Sequence, residues 1–499
     1  MSEQQTDAKD HVSEHEGRLQ KLQNYRESGE NPYKYNYKPT HLNHTIRDAY
    51  GSLEAGDYSG VTVKIAGRLI AKRGHGKATF GNVLDSSAPL QYYANINDLG
   101  EEAYTKLLNL DVGDIIGIEG EPFCSKRGEL TLKVISFELL SKALNPLPEK
   151  FHGLQDKETR YRQRYVDLIA NPEIREVFKT RSQVIQDIRN VLHEQDFMEV
   201  ETPVLQTIYG GASARPFNTY HNELSQDLFM RIALELPQKR LVVGGFDRIF
   251  EIGRVFRNEG VSFKHNPEYT LLELYQAYAD YEDIMELTEK LVSEIVYKVT
   301  GSHDIEYQGT MLNFKAPFQR LTMADALQQY ASVDLFADEA TLKARAQELG
   351  LEVPDQAHRG ELINLIYDKT VEPQLIQPTF MTDYPWETSP LAKRKRDDDR
   401  LVERFELIVN KMEIANAYSE LNDPIEQHER FLDQVKAKEA GYEETHEMDE
   451  DFVEALKYGM PPTGGLGIGI DRLVMLVTNQ ASIRDVILFP HMRPKGGAS

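Results

Sequence analysis

The segment VFRNEGVSFKHNPEYTLLELY (residues 255–275) predicts a β-hairpin with charged side chains on its inner face. Alternation puts Arg257 and Glu259 on one face of the first strand, and Glu273 and Tyr275 share a face of the second. An unpaired buried charge costs several kcal/mol or more, so each charge on such a face needs a partner. Either Arg257, Glu259 and Glu273 neutralise one another, or a ligand with charges of both signs completes the set. In the second case Arg257 favours a phosphoryl oxygen, because a guanidinium stays charged and can bind two oxygens at once.

A second predicted hairpin, FELIVNKMEIANAYSEL (residues 405–421), holds two carboxylates. If Asn410-Lys411 is a two-residue turn, residue 406 faces residue 415, and Glu406 and Glu413 lie diagonally on one face. Two neighbouring carboxylates repel each other unless a cation lies between them. Their oxygens suit Mg²⁺, with phosphate from a substrate completing the coordination shell. The hairpin therefore predicts a magnesium site at Glu406 and Glu413.

The polar residues that follow Glu413 conflict with a regular strand. Strict alternation would put Asn416, Tyr418 and Glu420 on the opposite face from Glu413. If all of these residues line one site, the strand must contain a bulge near Ile414-Ala415.

The stretch GGLGIGIDRLVML (residues 464–476) combines a strand poor in side chains with an arginine at the start of a helix. Glycine weakens a strand unless something flat must approach its backbone closely. Arg472 would lie in the first turn of the helix, where it can meet phosphate. With the two hairpins, this pattern predicts a site for a nucleotide. The glycines are Gly464, Gly465, Gly467 and Gly469.

Length and composition indicate a cytoplasmic protein of two or three domains. The chain has 499 residues and one cysteine, Cys124, which excludes an internal disulfide framework. No apolar run reaches about 18 residues and the N-terminus has no apolar core, so neither a membrane span nor a signal peptide is expected. The net charge of −23 argues against nucleic acid, and we expect no DNA partner. Residues 58–84 contain no acidic residue but five basic ones. This local basic face either binds nucleic acid or is simply a solvated strand face. The basic residues are Lys64, Arg68, Lys72, Arg73 and Lys77.

The order of predicted elements indicates an α+β chain. Residues 61–140 contain five short strands separated by turns, which favours an OB-type β-barrel. From residue 156 onward, long helices accompany antiparallel strands. The predicted domains are an N-terminal helical extension (1–55), the OB-fold (56–145), a linker (146–155) and a catalytic domain (156–495) with a mostly helical insertion at about 322–372.

Three boundaries within this scheme can be checked directly. A charged helix is predicted over residues 8–28, and TRYRQRYVDLI (159–169) is predicted as a single helix. A longer helix (173–196) should lead into a strand that ends at Pro203.

These motifs resemble those of the class II aminoacyl-tRNA synthetases over nearly the whole chain. FMEVETPVL is similar to motif 1, FRNEG with HNPEY to motif 2, and GLGIGIDRL to motif 3. Neither class I signature (HIGH or KMSKS) occurs, nor does a GxxxxGK[ST] loop. The predicted barrel resembles that of the subgroup for lysine, aspartate and asparagine. Four stretches are closely similar to bacterial lysyl-tRNA synthetase: KFHGLQDKETRYRQRYVDLI, GGASARPF, EIANAYSELNDP and MPPTGGLGIGIDRLVML.

The resemblance implies an N-terminal OB-fold anticodon-binding domain and a catalytic domain with a mainly antiparallel sheet flanked by helices. It also implies an enzyme that uses ATP and Mg²⁺ to convert L-lysine to lysyl-adenylate, then transfers lysine to the 3′ end of tRNA(Lys). Arg257, Glu259 and Arg472 would be catalytic. The implied ATP site is Arg257, Glu259, His265, Asn266, Tyr269 and Arg472, and the implied metal ligands are Glu406 and Glu413.

The same resemblance implies the remaining contacts. Gly211 and Glu235 would bind the α-amino group of lysine and Asn416 its carboxylate region, while Glu273, Tyr275, Tyr418 and Glu420 would surround the ε-ammonium. In the barrel, Arg73, Phe80 and Gln91 would contact the anticodon, although the residues alone favour Phe80 as a core side chain. The family also implies a homodimer, formed by helix 173–196 and the strand ending at Pro203.

The sequence departs from the family pattern at Pro237-Gln238, where a Tyr or His and then Leu are usual, and at Lys264, where arginine is usual. The sequence disfavours two alternatives to a lysine enzyme. An aspartyl or asparaginyl enzyme would need a cation in the side-chain pocket, and none occurs at positions 273, 275, 418 or 420. A non-catalytic RNA-binding or amino-acid-sensing paralogue should have lost some of Arg257, Glu259, Glu406, Glu413 and Arg472, all of which are here.

Overall fold

A computed structural model describes residues 3–148, 154–354, 357–439 and 447–494 of the chain. The chain forms two compact units, Met1–Leu154 and Gln155–Ser499. Residues 149–153, within the predicted linker, lie outside the described residues. Among the described helices, none is both long and apolar enough to cross a membrane.

The first unit is built around a closed five-stranded barrel with the order β1-β2-β3-β5-β4. Its strands alternate inward and outward side chains, as in β2, where every second residue is buried. Only β3 and β5 pair in parallel, which is the closure of an OB-fold. The elements are α1 (Glu3–Glu27), α2 (Asn43–Tyr50), β1 (Val63–His75), β2 (Ala78–Leu84), β3 (Pro89–Asn95), α3 (Ile96–Leu99), α4 (Glu101–Asn109), β4 (Ile115–Cys124) and β5 (Leu130–Ser141).

The second unit contains an eight-stranded sheet with the order β14-β15-β16-β17-β18-β11-β10-β6. Only its two outermost pairs, β14/β15 and β10/β6, are parallel. The fold predicted from sequence, an OB-fold barrel followed by a mainly antiparallel sheet with flanking helices, is confirmed. The strands are β6 (Met198–Glu199), β7 (Leu205–Gln206), β8 (Asn218–His221), β9 (Gln226–Met230), β10 (Arg248–Phe256), β11 (Glu268–Ala277), β12 (Asp304–Tyr307), β13 (Thr310–Asn313), β14 (Gln319–Thr322), β15 (Thr379–Pro385), β16 (Leu401–Val409), β17 (Met412–Ser419) and β18 (Thr463–Gly469).

Along the chain, the helices of this unit precede, connect or follow the strands of the sheet. A mostly helical segment joins β14 to β15 and has its own apolar core, which includes Leu327, Leu342 and Ile363. The helices are α5 (Lys157–Arg162), α6 (Arg164–Ala170), α7 (Ile174–His193), α8 (Glu235–Val243), α9 (Tyr281–Thr300), α10 (Met323–Ala331), α11 (Glu339–Glu348), α12 (Arg359–Ile366), α13 (Pro424–Glu439), α14 (Glu450–Leu456) and α15 (Ile470–Val477), with a π-helical turn at Tyr367–Val371.

The two faces of the central sheet differ in chemistry. On one face Leu272, Leu274 and Ile468 are fully or almost fully buried in an apolar core that also includes residues of α7, α9 and α15. The alternate residues of the same strands, such as Glu273 and Tyr275, line a cavity instead. The alternation of the sheet thus separates the core from the candidate site.

Three sequence predictions were wrong in detail. The helix predicted over 159–169 is interrupted at Gln163, whose backbone is not helical (φ −118°, ψ 53°). The strand predicted to end at Pro203 is only the two-residue edge strand β6, because its pairing with β10 stops after Glu199. The predicted N-terminal helix begins earlier, at Glu3.

Candidate active site

A cavity of about 430 Å³ opens on the polar face of the central sheet. Every catalytic-domain residue predicted for the site lines it: Gly211, Glu235, Arg257, Glu259, His265, Asn266, Tyr269, Glu273, Tyr275, Glu406, Glu413, Asn416, Tyr418, Glu420 and Arg472. The three motifs therefore converge in space. In particular, Arg257 and Arg472 share one cavity, as the nucleotide hypothesis requires.

The bulge predicted in β17 is present. Asn410 and Lys411 form the turn with positive φ angles of 46° and 65°, the geometry of a type I′ turn. Ile408 pairs with Glu413 but Leu407 pairs with Ala415, so Ile414 is the extra residue. Consequently residue 406 faces 416, and the pairing of 406 with 415 expected for a regular ladder was wrong. The bulge lets Glu413 and the polar residues after it line the same cavity.

The alternative of an ion network in the first hairpin is not observed. Arg257 and Glu259 follow the end of β10 rather than lying within it. Arg257 Nε donates to Ile232 O at 3.3 Å, and its guanidinium lies 5.4 Å from the centre of the Tyr269 ring. Within the described parts of the chain, no carboxylate forms a salt bridge with Arg257. Its charge is therefore available to a ligand in the cavity.

Glu406 and Glu413 face the cavity from the two strands of the second hairpin. Burial raises the pKa of Glu406 to about 7, with Glu413 adding to the shift and the Arg404 guanidinium opposing it. Arg404 Nη2 donates to Glu406 Oε1 at 2.5 Å, and Arg472 Nη1 lies 3.4 Å from Glu413 Oε2. No cluster of three or more His, Cys, Asp or Glu ligands occurs among the described residues. Two carboxylates alone fit a Mg²⁺ ion whose other ligands are substrate phosphate and water.

One end of the cavity is cationic. Arg472 is held by its hydrogen bond to Glu413 O at 2.6 Å. Lys264 forms a salt bridge of 3.2 Å with Glu372. Partial burial, followed by the charges of Arg472 and Lys264, lowers the pKa of His265 to about 4, so this ring is neutral near pH 7.

The other end of the cavity is acidic and aromatic. Glu235, Glu273 and Glu420 are buried there. Tyr418 donates to Glu235 Oε1 at 2.8 Å, and Tyr275 donates to Glu273 Oε2 at 3.4 Å. Burial, and then the charge of Glu235, raises the pKa of Glu273 to about 8. Such a group of carboxylates is suited to ammonium ligands.

Glycine is required at two positions of this end. A Cβ at Gly465 would lie 1.9 Å from Glu420 Oε1 and 2.7 Å from Tyr275 Cε1. Gly211 has a φ of +85°, and a Cβ there would lie 3.0 Å from that of Glu235. The glycine-rich strand thus makes room for the acidic side chains of the pocket, as well as for a ligand above its backbone.

Two charged residues were missed in the sequence: Arg404, which lines the cavity, and Lys239, which contacts the lining from outside it. Arg404 donates to Asn416 Oδ1 at 3.1 Å and to Glu406, and it lies two residues before Glu406 on the same strand face. Lys239, fully buried, forms ion pairs with Glu235 and Glu420. Both contacts could have been inferred from spacing. Arg404 and Glu406 are two residues apart on a strand and so share a face, and Lys239 follows Glu235 by four residues on a helix.

The departure at Pro237-Gln238 falls within α8, beside this pocket. Pro237 is tolerated in the first turn, where its missing N–H has no helical partner. Gln238 is fully buried, and among the described residues neither atom of its amide has a hydrogen-bond partner.

In the barrel, the three predicted anticodon residues lie on neighbouring strands. Arg73 pairs with Phe80 across β1 and β2, and Phe80 pairs with Tyr93 of β3, two residues beyond Gln91. Phe80 is half-buried, outside the apolar core, with its ring 4.9 Å from that of Tyr93. The interpretation of Phe80 as a core residue was therefore wrong. Gln91 donates to Thr131 Oγ1 at 2.9 Å.

The acid-free stretch does not form one basic face. Lys64 pairs with Glu119 at 3.5 Å, and Arg68 donates to Gly113 O at 2.7 Å. A bulge at Ile70 changes the facing of β1, so that Lys72 donates to carbonyl groups at the end of α4. Arg73 and Lys77 remain exposed.

Comparison with known proteins assigns both units. The model of the class II tRNA synthetases (D, K and N) matches residues 156–493, and that of the OB-fold nucleic acid binding domain matches residues 63–140. The lysine–tRNA ligase of Carboxydothermus hydrogenoformans is 54% identical over 96% of this chain and 97% of its own length. Those of Pelotomaculum thermopropionicum (53% identical; 96% of this chain, 94% of the relative) and Bacillus cytotoxicus (51%; 96% and 97%) are similar. The chain therefore belongs to the class II tRNA synthetases of the D, K and N group, and within it to the family of the lysine–tRNA ligases.

Proposed function

We propose that the chain activates L-lysine with ATP and transfers it to tRNA(Lys), as a lysine–tRNA ligase. The observation that carries this proposal is a single cavity with cationic groups at one end and three buried glutamates, Glu235, Glu273 and Glu420, at the other. Such a cavity suits a nucleoside triphosphate beside an amino acid with two ammonium groups. The reaction belongs to translation, so we place the enzyme in the cytoplasm.

At the nucleotide end, Arg257 binds the α-phosphate and Glu259 meets the adenine amino group. Tyr269 and Arg472 hold the base between them, while His265 and Asn266 lie by the phosphates and the nucleotide. Arg257 lines the cavity and, among the described residues, has no carboxylate as a salt-bridge partner, which supports its role. Its fixed position stabilises charge that develops at the phosphorus in the transition state.

Glu406 and Glu413 would hold magnesium. When bound, the ion supplies positive charge to the phosphate oxygens of ATP. The hydrogen bonds of Arg404 and Arg472 to these carboxylates hold both side chains toward the cavity.

At the amino-acid end, Gly211 and Glu235 receive the α-ammonium and Asn416 the carboxylate region. Glu273, Tyr275, Tyr418 and Glu420 surround the ε-ammonium. A carboxylate oxygen of lysine attacks the α-phosphorus in line, the bond from phosphorus to the bridging oxygen breaks, and pyrophosphate leaves with the electron pair. Positioning and electrostatics supply the rate, and no protein nucleophile is needed.

In the second step, the 3′ hydroxyl of tRNA attacks the carbonyl carbon of lysyl-adenylate. The ester bond forms as AMP leaves, and the phosphate of AMP accepts the hydroxyl proton. Phe80 stacks on an anticodon base, Gln91 reads its edge, and Arg73 contacts a neighbouring base or phosphate.

We also propose a homodimer, formed through α7 and the segment that begins with β6 and continues past Pro203 to Ile208. The apolar side chains Met198, Val204, Leu205 and Ile208 of this segment are exposed in the single chain, which supports burial against a second copy.

ATP–pyrophosphate exchange with each of the twenty amino acids tests the function. We expect exchange with lysine, and its loss by at least about a hundredfold in Arg257→Ala. The matched control is Arg254→Ala, which removes a half-exposed arginine three residues earlier, within β10, that lies 3.7 Å from Glu268. Retained exchange in Arg257→Ala would remove this residue from the mechanism.

An aspartate-dependent or asparagine-dependent exchange would instead favour the related enzymes of the group. Lys239 is a buried cation that contacts two carboxylates of the pocket without lining the cavity itself, and the carboxylates outnumber it, so the pocket is acidic. We therefore expect neither amino acid to support exchange.

A further inference from the structure

The buried ammonium of Lys239 connects two parts of the lysine pocket. Its Nζ lies 2.5 Å from Glu235 Oε1 on the preceding turn of α8 and forms an ion pair with Glu420, which follows β17. The rings of Tyr418 and Phe452 lie 5.5 and 5.9 Å from it. Although burial alone would lower the pKa of Lys239, the two carboxylates raise it, so the side chain stays charged.

The pocket leaves two negative charges for the two ammonium groups of lysine. Glu235, Glu273 and Glu420 carry three negative charges when ionised, and Lys239 carries one positive charge. Three minus one leaves two, which equals the number of ammonium groups on lysine. Lys239 therefore neutralises only one of the three negative charges and leaves the other two for the substrate.

Glu420 depends on Lys239 for its position. Among the described residues, the only ion pair of Glu420 is with Lys239, whereas Glu235 also accepts a hydrogen bond from Tyr418. The backbone of Gly465 limits movement of Glu420 on the other side. Lys239 is thus the link between Glu235 on a helix and Glu420 at the end of a strand.

We infer that Lys239 is a positioning residue that sets the separation between the carboxylates for the α-ammonium and the ε-ammonium, and thereby the side-chain length of the amino acid accepted. This inference rests on the proposed function, in which Glu235 and Glu420 bind these two groups. Removal of the link lets Glu420 move, so an amino acid one methylene shorter fits nearly as well as lysine.

The test compares lysine with ornithine in ATP–pyrophosphate exchange. In Lys239→Met, we expect the ratio of kcat/KM for lysine to that for ornithine to fall by about tenfold, within the range that one methylene commands. The KM for ATP should stay within about twofold, since Lys239 lies away from the nucleotide. The matched control is Lys298→Met, which removes an exposed lysine paired with a glutamate four residues earlier, Glu294.

A purely structural role would lower activity with both amino acids in proportion, and an unchanged ratio would overturn the inference. Thermal unfolding and AMP binding show whether Lys239→Met is folded. If it is not, Lys239→Arg keeps the buried charge but changes its reach, and the same fall in the ratio is expected, with an unchanged ratio again counting against the inference. Absence of lysine-dependent exchange in the unaltered protein would instead overturn the proposed function.

Discussion

At the scale of single residues, the proposed role of Glu273 in binding lysine makes that binding dependent on pH. Burial, and then the charge of Glu235, raises the pKa of Glu273 to about 8, so its carboxyl is mostly protonated at pH 7 in the free protein. An ammonium ligand favours the ionised form. We therefore expect lysine binding at pH 7 to release about one proton, and lysine affinity to rise with pH up to about 8 and then level off. Calorimetry in buffers of different ionisation enthalpy measures both.

Glu273→Gln is the matched variant, because it keeps the size of the side chain but cannot ionise. It should bind lysine more weakly and remove this proton release; unchanged release would mean that another group titrates. The same shift affects stability with a definite sign. Since the folded pKa lies above the ordinary value of 4.5, this group lowers the free energy of unfolding as pH rises from about 4.5 to about 8.

At the scale of secondary structure elements, helix α8 contains a buried polar side chain without a hydrogen-bond partner among the described residues. Gln238 is fully buried, and within the described residues its amide atoms have no partner. A buried amide left unpaired costs about 1–3 kcal/mol. Gln238→Leu should therefore raise the free energy of unfolding of this unit by about that amount, measured by thermal and denaturant unfolding. Gln328→Leu, at an exposed position of α10, should change little, and equal or lower stability of Gln238→Leu would contradict the prediction.

Some features of these elements could be predicted from the sequence and others could not. The bulge at Ile414 could be predicted because strand alternation alone cannot bring Glu413 and Asn416 to one site. The short strand β6 could not, because its length depends on where pairing with β10 stops. Lys239 was missed since a single lysine on a helix is usually solvated, and only the fold brings Glu420 to it.

At the scale of the whole molecule, the division into two compact units predicts that amino-acid activation and transfer to tRNA depend on different residues. The barrel and the cavity lie in separate units, so loss of an anticodon contact should leave amino-acid activation intact. Phe80 is a suitable residue for this test, because its half-buried ring lies outside the barrel core and its removal should not unfold the barrel. Base stacking on an aromatic ring is worth about 1–3 kcal/mol. In Phe80→Ala, aminoacylation at limiting tRNA(Lys) should fall by about tenfold or more, while lysine-dependent exchange without tRNA stays unchanged.

Tyr35→Ala is the matched control for this prediction, since it removes an aromatic ring of the same unit that is 99% exposed. Its charging should remain near that of the unaltered protein if the effect of Phe80 is specific to the anticodon face. Equal loss of exchange and charging in Phe80→Ala would mean that the ring supports the fold of the chain. Loss of charging alone, with unchanged thermal unfolding, would assign the ring to tRNA binding, because only the second step uses tRNA.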